Sequence, residues 1–141
     1  MSEENKAIVR REHEEIWNSQ GNLDAADEIY APDYIGHDPS LPEDIRGVEA
    51  ARQFAAMYRS TFPDLEFTIE DQIAEGDKVA TRLTARGTHQ GELEGIAPTG
   101  NRVEMTGIVI SRIAEGKIAE DWGVFDVLGM MRQIGAIPPL E

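Results

Sequence analysis

In the stretch GKIAEDWGVFDVLGMMRQIG, residues 116–135, the spacing of apolar residues changes from the period of a strand to that of a helix. Side chains of an extended chain alternate between faces, so Ile118, Glu120, Trp122, Val124 and Asp126 are expected to share one side of a strand. Asp126 ends that strand, and Val127 to Ile134 continues at helical spacing. A carboxylate on the face of a tryptophan, at an element boundary, is placed where desolvation can raise its pKa. Asp126 is therefore the leading candidate for acid/base chemistry. The competing reading makes it the N-cap of the helix that follows, a role in which Asp is common.

The preceding segments supply the rest of a sheet. Leu65, Phe67 and Ile69 alternate in a strand running to about Ala74, and the turn Glu75-Gly76-Asp77 leads into a partner strand from Lys78 to about Gln90. Gly91 to Gly100 reads as a long loop or flap. Arg102 to Ile113 is a further strand, apolar on both faces beyond Gly107, which predicts a central position covered on both sides. The turn Ala114-Glu115-Gly116 then enters the opening stretch.

Helices come first in the chain. Val9, His13, Ile16 and Trp17 form one stripe of an amphipathic helix from about Glu4 to Gln20, closed by Gly21, with Asn22 capping a short helix over Leu23–Tyr30. Tyr34 to Pro39 is a short extended piece. A third helix is expected from Val48 to about Thr61, ended by Pro63. Helices followed by a meander of strands give an α+β domain with helices on one face of a curved sheet, and the 141 residues suffice for one domain.

Composition removes several functions. The chain has 27 acidic and 13 basic residues, a net charge of -14, which disfavours nucleic acid and anionic membranes as partners. Ten of the basic residues are arginines; the acidic surplus is read as an ordinary acidic surface rather than as a high-salt adaptation. There is no cysteine, hence no thiolate nucleophile or cysteine zinc site. No apolar run reaches membrane-spanning length and the N-terminus is charged throughout, which predicts a cytoplasmic protein.

The residues able to do chemistry in a cavity between sheet and helices are His13, Trp17, Tyr34, His37, His89, Glu104, Arg112, Trp122 and Asp126. His89, near a strand end, can hydrogen-bond a substrate carbonyl or serve only as a satisfied half-buried histidine. His37 can do the same or hold a turn with Asp38, and His13 reads as a packing residue. His37, His89 and Asp126 have metal-ligand chemistry but no metal-ligand spacing, so no metal is expected. Neither a G-x-S-x-G elbow nor a phosphate loop is present.

Glu15-x-Trp17-Asn18, Gly21-Asn22-Leu23-Asp24, His37-Asp38-Pro39, Phe62-Pro63-Asp64-Leu65, Gly87-Thr88-His89-x-Gly91, Pro98-Thr99-Gly100, Gly116-Lys117-Ile118-x-Glu120-x-Trp122-x-x-x-Asp126 and Gln133-x-Gly135 occur in order along nearly the whole chain. The series resembles the SnoaL-like polyketide cyclases, also labelled predicted ester cyclases, of the NTF2-like superfamily. The resemblance implies a cone: a curved mixed, mostly antiparallel sheet with the N-terminal helices on its concave face, often dimeric through the sheet. It also implies cofactor-independent intramolecular aldol ring closure in a polyketide ester, with an aspartate resembling Asp126 as acid/base. On this reading the ligand is a small hydrophobic carbonyl compound. Asp126 removes an α-proton, His89 or His37 and the Trp122 indole steady the enolate, and Trp17, Tyr34, Phe54, Met105 and Met131 wall the pocket. The alternatives are a non-catalytic binder, an isomerase and an epoxide hydrolase; the last would recruit Arg112, Glu104 and Asp126, although Glu104 and Arg112 lie far apart along one strand.

Overall fold

A computed structural model describes residues 2–137. The first helix, α1 (Ser2–Glu12), runs into a π-helical turn, His13–Trp17, so the expected long helix is divided. The Asn22 side chain accepts from the Asp24 amide and caps a 3₁₀ turn, Leu23–Ala25, before the single turn of α2 (Ala26–Ile29). The segment expected to remain helical to Tyr30 instead enters β1 (Tyr30–His37), which starts ahead of Pro32. A short β2 (Ile45–Arg46) and α3 (Val48–Thr61) follow, α3 ending where Phe62 and Pro63 stop it.

The remaining strands are β3 (Glu66–Glu75), β4 (Lys78–Thr88), β5 (Arg102–Ala114) and β6 (Lys117–Phe125), with α4 (Val127–Gln133) last. They form one six-stranded sheet in the order β2-β1-β6-β5-β4-β3. Only the β1–β6 pair is parallel. The turn between β5 and β6 places Glu115 and Gly116 at φ 52° and 77°, a pair of left-handed residues whose twist suits a tight hairpin.

Two apolar clusters fill the concave side. One joins Val9, Ile16, Ile29, Tyr30, Val79 and Ile118 beneath α1; the other joins Phe62, Leu65, Ala85, Val103, Met105 and Met130 toward α4. Trp17 touches both clusters. Each fully buried aliphatic side chain such as Ile16 contributes about 1.5–3 kcal/mol by leaving water. Among the described residues, no helix is long and apolar enough to cross a membrane.

The sheet departs from the expected covering of both faces. Ile108 and Ile110 of β5 are 52% and 40% exposed, so only the concave face is roofed. A second departure sits in β6. Ile113 and Arg112 of β5 pair with Ile118 and Glu120, a register shift that leaves Ala119 as an extra, bulged residue. The bulge reverses the alternation, so beyond Ile118 the inward set is Asp121, Gly123 and Phe125. Glu120, Trp122 and Val124 lie on the outer face.

Candidate active site

Between helices and sheet lies a cavity that opens to solvent. Its wall is mainly aromatic: Trp17 from the π turn, Phe54 and Tyr58 from α3, Phe62, Tyr34 from β1 and Phe125 from β6. Met105 and Met130 add flexible apolar surface. Trp17, Phe54 and Tyr58 pack edge-to-face in sequence, with centroids 5.6 and 5.3 Å apart, which fixes the roof.

One polar cluster interrupts this lining. Asp121, 7% exposed, accepts at Oδ2 from the Tyr34 hydroxyl at 2.9 Å. Glu12, 3% exposed, accepts at Oε2 from the Tyr30 hydroxyl at 2.6 Å. Burial pushes the Asp121 carboxyl well above the usual carboxylate range, and the nearby charge of Glu12 adds to the shift. Burial raises Glu12 as well, opposed by hydrogen bonding from Asp121 and Tyr30. Tyr30 and Tyr34 are also pushed up by burial and stay protonated donors. His13 donates from Nδ1 to the Val9 carbonyl at 3.1 Å, and burial lowers its pKa, keeping the ring neutral.

Trp17, Tyr34, Phe54 and Met105 line the cavity as the sequence suggests, and His37 stands at its mouth. Trp122, Met131 and Asp126 are corrections. Trp122 points outward because of the bulge at Ala119, and on α4 it is Met130 rather than Met131 that lines the pocket. Asp126 is exposed, and its Oδ1 accepts from the Gly129 amide at 2.9 Å as the N-cap of α4. His89 is fully buried behind Phe62 and outside the cavity lining. Its Nδ1 meets the Thr99 hydroxyl at 2.9 Å, and its backbone bonds to Asn101 and Gly100, so it pins the 91–100 loop. Arg112 and Glu104 pair on the outer face with Glu120 and Arg86, so the water-holding set of an epoxide hydrolase is not assembled.

Asp121 and Glu12 are the residues that the sequence reading missed. A signal for Glu12 existed: Val9, Glu12, His13 and Ile16 fall at i, i+3, i+4 and i+7, which puts a carboxylate on the apolar stripe. Asp121 carried a fainter one, since Asp121-x-Gly123-x-Phe125 alternates with a glycine that leaves room for a ligand. Because Asp126 serves as a cap, Asp126→Ala is expected to lower stability by about 1 kcal/mol. Turnover stays within twofold of the parent, as a denaturation curve and a rate assay together will show.

At the mouth, His37 Nε2 lies 2.6 Å from Glu120 and Nδ1 lies 3.2 Å from Asp44, while the ring stacks on Trp122. The hydrogen bond to Glu120 holds the His37 pKa above its ordinary 6.5, and the same bond depresses that of Glu120. The histidine's contribution is complete below 6.5 and is lost as pH rises through its raised value. That of Glu120 is present above the usual carboxylate range and is lost as pH falls through its depressed value. Amide protection factors across residues 38–46 are therefore expected to fall at alkaline pH, and His37→Gln abolishes that dependence.

Comparison with known proteins agrees with this architecture. The family described as SnoaL-like polyketide cyclase matches residues 7–134. The nogalonic acid methyl ester cyclase of Streptomyces nogalater is 34% identical over 119 residues, 82% of this chain and 87% of the relative. The aklanonic acid methyl ester cyclase AcmA of Streptomyces galilaeus is 33% identical over 138 residues, 96% and 92% of the two chains. A solved SnoaL-like structure from Jannaschia sp. CCS1 superposes with a TM-score of 0.88 at 28% identity, covering 97% of this chain and 95% of the other.

Proposed function

The chain belongs to the SnoaL-like polyketide cyclase family and has its NTF2-like cone, and from that membership we propose that it closes a ring in a polyketide-derived ester by intramolecular aldol chemistry. It is an enzyme of cyclase type, and its reaction is an isomerisation that consumes no oxidant or reductant. Asp121 takes the proton from a carbon activated by neighbouring carbonyls; the enolate carbon bonds to the ketone carbon; the carboxyl then returns a proton to the alkoxide. The observation that carries this reading is a buried carboxyl with a raised pKa in an aromatic-walled cavity. Tyr34, donating to Asp121, orients it, and the apolar wall excludes water from the enolate. The test is incubation with an aromatic methyl ester bearing an activated C–H and a ketone within ring-closing reach. An isomeric product of unchanged mass is expected, and no acceleration over buffer contradicts the proposal.

The enzyme acts as a cytoplasmic homodimer joined through the outer face of the sheet. Support comes from a cross-strand row, Ile73, Ala80, Ile110 and Trp122, in which Ile73 is 71% exposed, beside Ile108 and Val124. Ile110→Lys is expected to give monomers in sedimentation analysis.

A further inference from the structure

The cavity holds a second buried carboxyl that ring closure by Asp121 alone leaves without a task. Glu12 and Asp121 belong to different elements, α1 and β6, and sit within hydrogen-bonding reach of each other. Each spends one oxygen on a tyrosine, Tyr30 for Glu12 and Tyr34 for Asp121. The remaining oxygens, Glu12 Oε1 and Asp121 Oδ1, are buried and have no hydrogen-bond partner among the described residues. Two ionised carboxylates placed so would repel each other with little water to screen them. A single proton between those two oxygens satisfies both and leaves one negative charge on the pair. The other groups facing it bring no positive charge. Tyr30 and Tyr34 are neutral donors, His13 is kept neutral by burial, the Trp17 indole N–H faces Glu12, and Ser111 stands opposite Asp121 in the β5–β6 register, its hydroxyl close enough to favour the ionised aspartate.

We propose that Glu12 is a positioning residue that shares one proton with Asp121, so that the group meeting substrate is a singly charged carboxyl pair rather than a lone aspartate. The inference rests on the acid/base reading of Asp121. In the resting state the shared proton moves onto Glu12 as Asp121 takes the α-proton, which makes the pair neutral. When the new C–C bond forms, Asp121 hands a proton to the alkoxide and the pair regains its single charge. Atoms and charge balance, and the pair ends as it began. A dyad of this kind loses its protons in two separated steps that belong to both residues together.

The test is a carboxyl ¹³C NMR titration of the unmodified protein, for which no substrate is needed. The Asp121 and Glu12 signals are expected to follow the same two steps, one at or below the ordinary carboxylate range and one well above it. In Glu12→Gln, Asp121 is expected to titrate in a single step and the alkaline limb of the kcat/KM profile to disappear, while Glu12→Asp restores both. Independent single-step titration of the two carboxyls in the unmodified protein overturns the proposal, even where Glu12→Gln does not fold. Because this readout is blind to turnover, the pair can fail while Asp121 remains the acid/base, and the acid/base role can fail while the pair stands.

Discussion

Asp121→Asn is expected to lower ring-closing turnover by about 10²- to 10⁴-fold, the share a positioned acid/base contributes. Its thermal midpoint at neutral pH is expected to match or exceed that of the parent. The second half of this expectation distinguishes a functional carboxylate from a structural one. A buried aspartate whose folded-state pKa is raised is destabilising above its unfolded value, because folding then moves a charge into a site that disfavours it. The parent should therefore gain stability as pH falls from neutral toward the ordinary carboxylate range, and the variant should keep only the smaller part of that dependence that buried Glu12 contributes. Asparagine keeps the shape and can still accept from Tyr34, so the cavity persists. A folded variant with unimpaired turnover, read by product formation, sinks the assignment.

Arg59→Met is expected to destabilise the protein by about 3 kcal/mol or more, measured by chemical denaturation, and to weaken substrate binding as a consequence. Arg59, at the end of α3, donates to four main-chain carbonyls: Glu15, Ile16, Ser19 and Gly21, at 3.5, 3.2, 2.9 and 2.8 Å. These carbonyls lie at the end of the π turn and just beyond it, where a helix leaves acceptors unsatisfied and its dipole favours a cation. Methionine retains the apolar stem but removes every donor. Trp17 sits in the same turn and seals the cavity roof, so slackening of this segment should raise KM more than it lowers kcat. A stability change below about 0.5 kcal/mol, the level of an ordinary surface substitution, contradicts this account.

Much of the architecture was legible because its determinants are local. The bounds of α3 follow from the proline behind it, and those of β3 and β4 from the turn around Gly76. The cone and the enzyme class followed from the motif series, and the family match and the superposed structure agree with them. The site was legible in Trp17, Tyr34, Phe54 and Met105 of its wall and in His37 at its mouth. Glu12, on α1, was passed over although it falls on the apolar stripe of Val9, His13 and Ile16. Asp121 was missed because a bulge at Ala119 cannot be read from alternation, and one extra residue moves each later side chain to the opposite face. Counting from Ile118 therefore led to Trp122 and Asp126, although the inward residues are Asp121, Gly123 and Phe125. The apolar outer face of β5 misled in another way. Ile108 and Ile110 resemble the residues of a doubly covered strand, while within one chain nothing among the described residues roofs that face.

Proton transfer to and from substrate carbon is expected at Asp121 inside the cavity and not at Asp126, the exposed cap of α4. The most direct measurement is deuterium uptake from D₂O at the activated carbon of a methyl ester analogue that lacks the ketone, so that exchange proceeds without ring closure. The parent and Asp126→Asn are expected to catalyse uptake at similar rates, and Asp121→Asn to fall to the buffer rate. Uptake that survives in Asp121→Asn and is lost in Asp126→Asn would contradict the account.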